Sequence, residues 1–119
     1  MQAMRIVATG IATVDVINTL TAYPAEDQEV RALAQRICRG GNATNTLVVL
    51  SQLGHRCSWC GVIADDPDSR LILEDLACYD VSTRYTVEHA GGRTPVSYVS
   101  LSQERGSRTI VHYRRLPEY

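Results

Sequence analysis

The chain has 119 residues, 45% hydrophobic and 21% charged, the make-up of one globular domain with material for a modest core. A formal net charge of -1 builds no strong field, so neither a nucleic-acid groove nor an acidic membrane surface is indicated as a partner. All twelve basic residues are arginine, and lysine and phenylalanine are absent, a bias from which no function follows.

The opening MQAMRIVATGIATVDV shows no charged region followed by a long apolar run and a small-residue cleavage site. No apolar stretch approaches the ~20 residues of a membrane helix, and a cytoplasmic setting is expected. RIVATGIATVDVI is rich in Val, Ile and Thr. It predicts an early buried strand ending at Gly10, a turn, and a second extended segment carrying Asp15. TAYPAEDQE reads as a polar loop broken by Pro24. EVRALAQRICR is expected to be extended, although Val30, Leu33 or Ala34, and Ile37 match neither the strand nor the helix period cleanly.

GGNATNTLVVLSQLGH predicts a helix. Gly40 and Gly41 give a flexible entry, Asn42 can cap, Leu47, Val48, Leu50 and Leu53 form an apolar stripe, and Gly54 ends it. CSWCGVI reads as a strand. DDPDSRLILEDLACYD predicts a second helix with Pro67 in its first turn and Leu71, Leu73, Leu76 and Ala77 on its apolar face. From Val81 the pattern becomes strand-like in TRYTV, TPVSYVSLS and SRTIVHY, with AGGR and QERGS as turns, an order that suggests a meander.

Strands alternating with helices imply an α/β fold with a parallel sheet and flanking helices. The chain ends just after a strand, so an open sheet edge in need of a partner or a cover is expected.

Cys38, Cys57, Cys60 and Cys78 include one C-x-x-C pair, which raises zinc or redox chemistry. In a strand, positions three apart point to opposite faces, a poor geometry for chelation, and the four are read as free thiols. His55, His89 and His112 have no acidic or cysteine neighbours at ligand spacing and are given no role. The carboxylates of DDPD at 65–68 suit a helix start through the dipole better than a magnesium site, so no metal site is expected.

One set of motifs recurs in this order: Asp15 in VDVI, the YPAED loop, LAQR, the signature RGGNATN, a helix ending in LG, then TPVSY and GSRTIV. In this the sequence resembles the ribokinase-like (PfkB-type) carbohydrate kinases, and within them the ketohexokinase branch, over essentially the whole chain. The resemblance implies the amino-terminal part of a ribokinase-like fold with projecting β lid strands, at about 11–38 and 94–114. It implies that Asp15, Gly41, Asn42 and Asn45 bind sugar, that Asp27 reaches the neighbouring subunit's site, and that Arg108 and Thr109 approach nucleotide phosphates. The implied activity is ATP-dependent phosphorylation of a ketohexose hydroxyl with Mg2+, in a homodimer clasped through its lids.

The residue types agree with that chemistry. A carboxylate accepts from two hydroxyls, carboxamides donate and accept, and glycines before a helix let a ligand approach free backbone amides. Taken singly, Asp15 also fits a turn, Asn42 an N-cap, Asn45 a solvated first turn, and Arg108 a surface strand end. The family's later GAGD motif, with its anion hole and catalytic aspartate, does not occur. No catalytic residue is therefore expected in this chain, ATP and Mg2+ are expected to bind it weakly, and it is expected to be inactive by itself. It reads either as a piece of a longer sugar kinase or as a non-catalytic module for sugar binding or lid dimerisation.

Overall fold

In the computed structural model, residues 2–117 are described. The first strand, β1 (Arg5–Thr9), pairs in parallel with β4 (Arg56–Cys60), with Ile6 opposite Cys57 and Ala8 opposite Trp59. The helix α1 (Asn42–Gln52) makes the crossover and packs on both strands through Leu47 and Val48. Leucine and valine four or fewer positions apart put one apolar stripe onto the alternating inward residues of the strands, where periods of 3.6 and 2 meet.

The second helix, α2 (Asp68–Cys78), completes this core with Ile72 and Leu76. Its apolar face is rotated from the expected one. Ile72 is buried, Leu71 and Leu73 are half-buried, and Ala77 is exposed.

The remaining strands divide. The segments β2 (Thr13–Leu20), β3 (Ala34–Gly40), β7 (Arg93–Ser102) and β8 (Ser107–Arg115) form a four-stranded sheet in the order β3-β2-β7-β8. Short β5 (Val62–Ala64) and β6 (Val87–His89) pair in parallel on their own.

The expected meander does not form. Residues 83–86 turn, because the Thr83 carbonyl accepts from both the Thr86 N–H at 3.1 Å and its hydroxyl at 2.8 Å, a local bond that competes with a ladder. The chain then crosses so that β7 joins β2 in parallel, and only β7 and β8 form a hairpin.

The four-stranded sheet projects from the body. The radius of gyration is 16.3 Å, against about 13.5 Å for a compact chain of this length. The accessible surface is 7956 Å², where a compact chain of this mass exposes about 6,400 Å². Only the base of the sheet, Val14 and Val96, belongs to the core. The strand β1 is also less buried than expected: among the described residues nothing covers the face carrying Arg5, Val7 and Thr9, and Val7 is 61% exposed.

All four cysteines are free thiols. Cys57 lies in the core, where burial pushes its thiol pKa up, while Cys60 lies on the opposite face of β4, half-buried. No helix among the described residues is long and apolar enough to cross a membrane.

Candidate sugar site

The junction of the body and the projecting sheet is built from glycines. Gly41 caps α1 with φ at +108°, and a Cβ there would lie 2.2 Å from the Ile11 carbonyl oxygen. No side chain can sit there, so the helix start lies directly against residues 11 and 12. Gly40 is equally tight for another reason: a Cβ would lie 2.2 Å from Asp15 Oδ2 and 2.6 Å from Thr13 Oγ1. The Asp15 carboxylate therefore rests on the Gly40 backbone, with Oδ1 accepting from the Thr13 hydroxyl at 2.7 Å.

Ile11, Thr13, Asp15 and Gly41 line a cleft of about 460 Å³ between β2, the start of α1 and the paired strands β7 and β8. Asp15, Gly41 and Asn42, three of the residues for which the resemblance implies sugar binding, meet there. Asn42 is not the cap. Gly41 takes that position, no side chain caps the free N–H groups there, and Asn42 lines the cleft. The first intrahelical bond runs from the Asn45 N–H to the Gly41 carbonyl, 2.9 Å, so the first-turn amides before it have no intrahelical partner and present donors at the positive end of the helix.

The other expected residues stand elsewhere. Asn45 is one turn along α1, outside the cleft lining, and its Oδ1 accepts from Arg39 at 2.9 Å. Arg39 is 6% exposed in its side chain and also donates to Asp75 at 2.6 Å and to the buried Thr44 hydroxyl at 2.7 Å. It fixes the end of β3 to both helices.

Asp27 is exposed, at φ +62°, in the loop joining β2 to β3 at the far end of the sheet. From Asp15 to the end of β2 is already about 17 Å, so Asp27 does not reach its own chain's cleft. Arg108 shares the sheet face of Asp15 but sits near the hairpin tip, opposite Leu101 and four residues, about 13 Å, from His112.

Two cleft residues escaped the sequence reading. Ser97 lies directly across from Asp15 on β7, and His112 directly across from Ser97 on β8, so the three share one face. His112, given no role from the sequence, lines the cleft, and its Nδ1 is 2.9 Å from Ser97 Oγ. QERGS was readable as the turn between β7 and β8, but nothing local signalled that β7 would pair with β2.

The next row out on the same face is apolar: Ile17, Val99 and Ile110. A hydroxyl-rich ligand held by the polar row would thus have an apolar layer toward the sheet tip.

The DDPD carboxylates are structural. Asp66 accepts from Arg93 at 2.7 Å, from the Thr94 N–H at 2.8 Å, from the Ser69 N–H at 3.2 Å, and from the Thr94 hydroxyl, which anchors the start of β7. Burial by itself would push its carboxyl pKa up, but these donors outweigh it and hold the group below its ordinary value. Among the described residues no cluster of three His, Cys, Asp or Glu side chains could hold a metal ion. A larger hollow of about 520 Å³, lined by Arg5, His55, Arg56 and Arg84, lies against the body and contains none of the cleft residues.

The model of the pfkB family carbohydrate kinases matches residues 3–118. Ketohexokinase of Mus musculus is 36% identical over 113 residues, covering 95% of this chain and 38% of that protein. Among solved structures, ribokinase from Giardia lamblia superposes with a TM-score of 0.83 at 15% identity, over 96% of this chain and 37% of that one. The ribokinase of Arabidopsis thaliana, complexed with ribose and ATP, superposes with a TM-score of 0.79 at 21% identity, over 93% of this chain and 35% of that one. The chain thus spans less than two fifths of the length of these relatives.

Proposed function

The chain belongs to the pfkB family of carbohydrate kinases, and from that premise we propose that it is the sugar-recognising part of an ATP-dependent kinase that phosphorylates a ketohexose hydroxyl. The observation that carries this reading is the convergence of Asp15, Gly41 and Asn42 in one cleft at the start of α1. Asp15 accepts from two adjacent sugar hydroxyls, the Asn42 carboxamide donates and accepts, and the first-turn amides of α1 donate. Together they fix the orientation of a neutral, polyhydroxylated ligand without any charge on it. Asn45 joins them once Arg39 yields its hold on Oδ1.

The projecting sheet acts as the lid, and its apolar row of Ile17, Val99 and Ile110 keeps water from the acceptor hydroxyl. ATP, when bound, supplies the phosphoryl group, and Arg108 on the lid approaches its phosphates. The described residues offer no ligand cluster for Mg2+, so no step is assigned to the metal here.

A homodimer clasped through the lids belongs to the same proposal. The other face of the sheet exposes Ile37, Tyr98 and Val111 in one cross-strand row, and Tyr98 and Val111 are 51% and 65% exposed. An apolar row of this kind on a free-standing sheet calls for cover, and a second copy brings its Asp27 loop to the first copy's cleft. A cytoplasmic setting fits the four unpaired cysteines.

The test is fructose titration into the protein, with a coupled assay of ADP release and intact mass to verify the polypeptide. Asp15→Ala is expected to weaken fructose more than 100-fold, and Asn42→Ala about 10-fold. Fructose binding without ADP release from a verified 119-residue chain fits a recognition part. Fructose-dependent turnover by that chain would refute this division of labour and require a base among its own carboxylates. Wild-type affinity in both variants would remove the sugar site. A strictly monomeric scattering profile at high concentration would remove the clasp.

A further inference from the structure

We infer that Ser97 and His112 form the second polar wall of this cleft and select among sugars by reading a hydroxyl on the ring edge away from Asp15. The inference rests on the sugar-binding reading of the cleft. Asp15, Ser97 and His112 stand in register on three neighbouring strands, β2, β7 and β8, and all three line the cleft. Neighbouring strands are about 4.8 Å apart, so Asp15 and His112 are separated by roughly 10 Å of sheet, and their side chains can bracket one sugar ring.

The pair has a chemistry suited to hydroxyls. Ser97 Oγ and His112 Nδ1 are 2.9 Å apart, which commits one ring nitrogen and leaves Nε2 for a ligand. When the serine donates to Nδ1, the imidazole carries its proton on Nε2 and donates. When Nδ1 carries the proton and donates to the serine, Nε2 accepts. The ring tautomer, with the serine hydroxyl turned to match it, thus sets Nε2 as donor or acceptor, and a sugar hydroxyl satisfies either state. A ring carbon without a hydroxyl at that place satisfies neither.

The pair has little structural work to do. His112 is exposed, Ser97 is half-buried, and among the described residues the imidazole has no second hydrogen-bond partner. An exposed hydrogen bond of this kind adds little to stability.

The test is calorimetric titration of D-fructose and its monodeoxy analogues into the wild-type protein, His112→Phe, His112→Gln and Asp15→Ala. His112→Phe is expected to weaken fructose about 10-fold, the size of one lost hydrogen bond, and His112→Gln to recover most of it. One deoxy analogue is expected to bind wild type and His112→Phe equally, because the partner hydroxyl is already gone. Ser97→Ala, which leaves the ring in place, is expected to weaken fructose about 3-fold with the same dependence on that hydroxyl, and it keeps the test open if phenylalanine disturbs the hairpin.

If His112→Phe and Ser97→Ala bind every sugar as wild type does while Asp15→Ala does not, the pair is idle and the sugar site stands. A uniform loss across all analogues marks a structural effect and overturns the inference. If Asp15→Ala also binds as wild type, or no sugar binds, the sugar reading falls and this inference with it.

Discussion

Replacing Gly40 with alanine separates recognition from folding. The added methyl would lie 2.2 Å from Asp15 Oδ2 and 2.6 Å from Thr13 Oγ1, both side-chain atoms. Ordinary contact needs about 3.4 Å or more, so the carboxylate must swing by roughly 1 Å. The backbone does not resist the substitution, since Gly40 is not among the positive-φ glycines.

Stability should change little. Alanine restricts the unfolded chain by about 0.4–1 kcal/mol in favour of folding, and loss of the Thr13–Asp15 hydrogen bond costs about 1 kcal/mol. Sugar affinity should change much more, because a charge-assisted acceptor out of place forfeits about 1.5–3 kcal/mol, or roughly 10- to 100-fold. Calorimetric fructose titration read beside a thermal melt measures both. A variant that melts within a few degrees of wild type and binds fructose equally well would refute the claim that Asp15, seated on Gly40, is the hydroxyl acceptor.

Gly41→Ala should behave oppositely: φ is +108° and the new Cβ would lie 2.2 Å from a backbone oxygen, so a loss of about 3 kcal/mol or more is expected as a fall in melting temperature. Arg39→Met should cost about 2–3 kcal/mol in a denaturant melt, because it strips Asp75, Thr44 and Asn45 of one shared donor; a change under ~0.5 kcal/mol would show the contacts to be idle. Asp66 has a folded-state pKa held below its ordinary 3.8, so the native state binds fewer protons than the unfolded chain. Its contribution is present above that ordinary value and is lost as pH falls through the folded one. Asp66→Asn should therefore melt lower at pH 7, by about 2 kcal/mol, and lose less stability than wild type on going from pH 5 toward pH 2; parallel melting curves for the two proteins would contradict this.

What the sequence disclosed was local. RGGNATN shows a helix start and two glycines because each requirement acts within a few residues, and Asp15 on a Val- and Ile-rich strand is equally plain. The capping role of Asn42 was misread because a glycine at positive φ satisfies the same geometry without a side chain. The face of α2 was misread in part: Leu76 is buried as expected, but Ile72 takes the other core position, Leu71 and Leu73 are half-buried and Ala77 is exposed. Ser97 and His112 stayed hidden for a different reason: they meet Asp15 only through a parallel pairing of segments about 80 residues apart in sequence, and a parallel crossover leaves no turn signature to read.

The distribution of anchors over the projecting sheet bears on how it moves. Its base is held at two strands: Arg39 ties the end of β3 to both helices, and Asp66 ties the start of β7 to the start of α2. Its far end carries cross-links that join the sheet to itself, among them the exposed Tyr23–Ser107 hydrogen bond and the Gln103 and Glu104 N–H groups donating to the Leu20 and Thr21 carbonyls. A sheet fixed at one end and free at the other is expected to swing as a lever, with displacement growing with distance from the clamp. Thr13 and Asp15 lie beside the clamp, against Gly40, while Arg108 and Ile110 lie toward the free end. On the proposed function, the sugar's hydroxyls are thus met by the part of the sheet nearest the clamp, and the groups proposed for the phosphate and for excluding water ride on the part farthest from it.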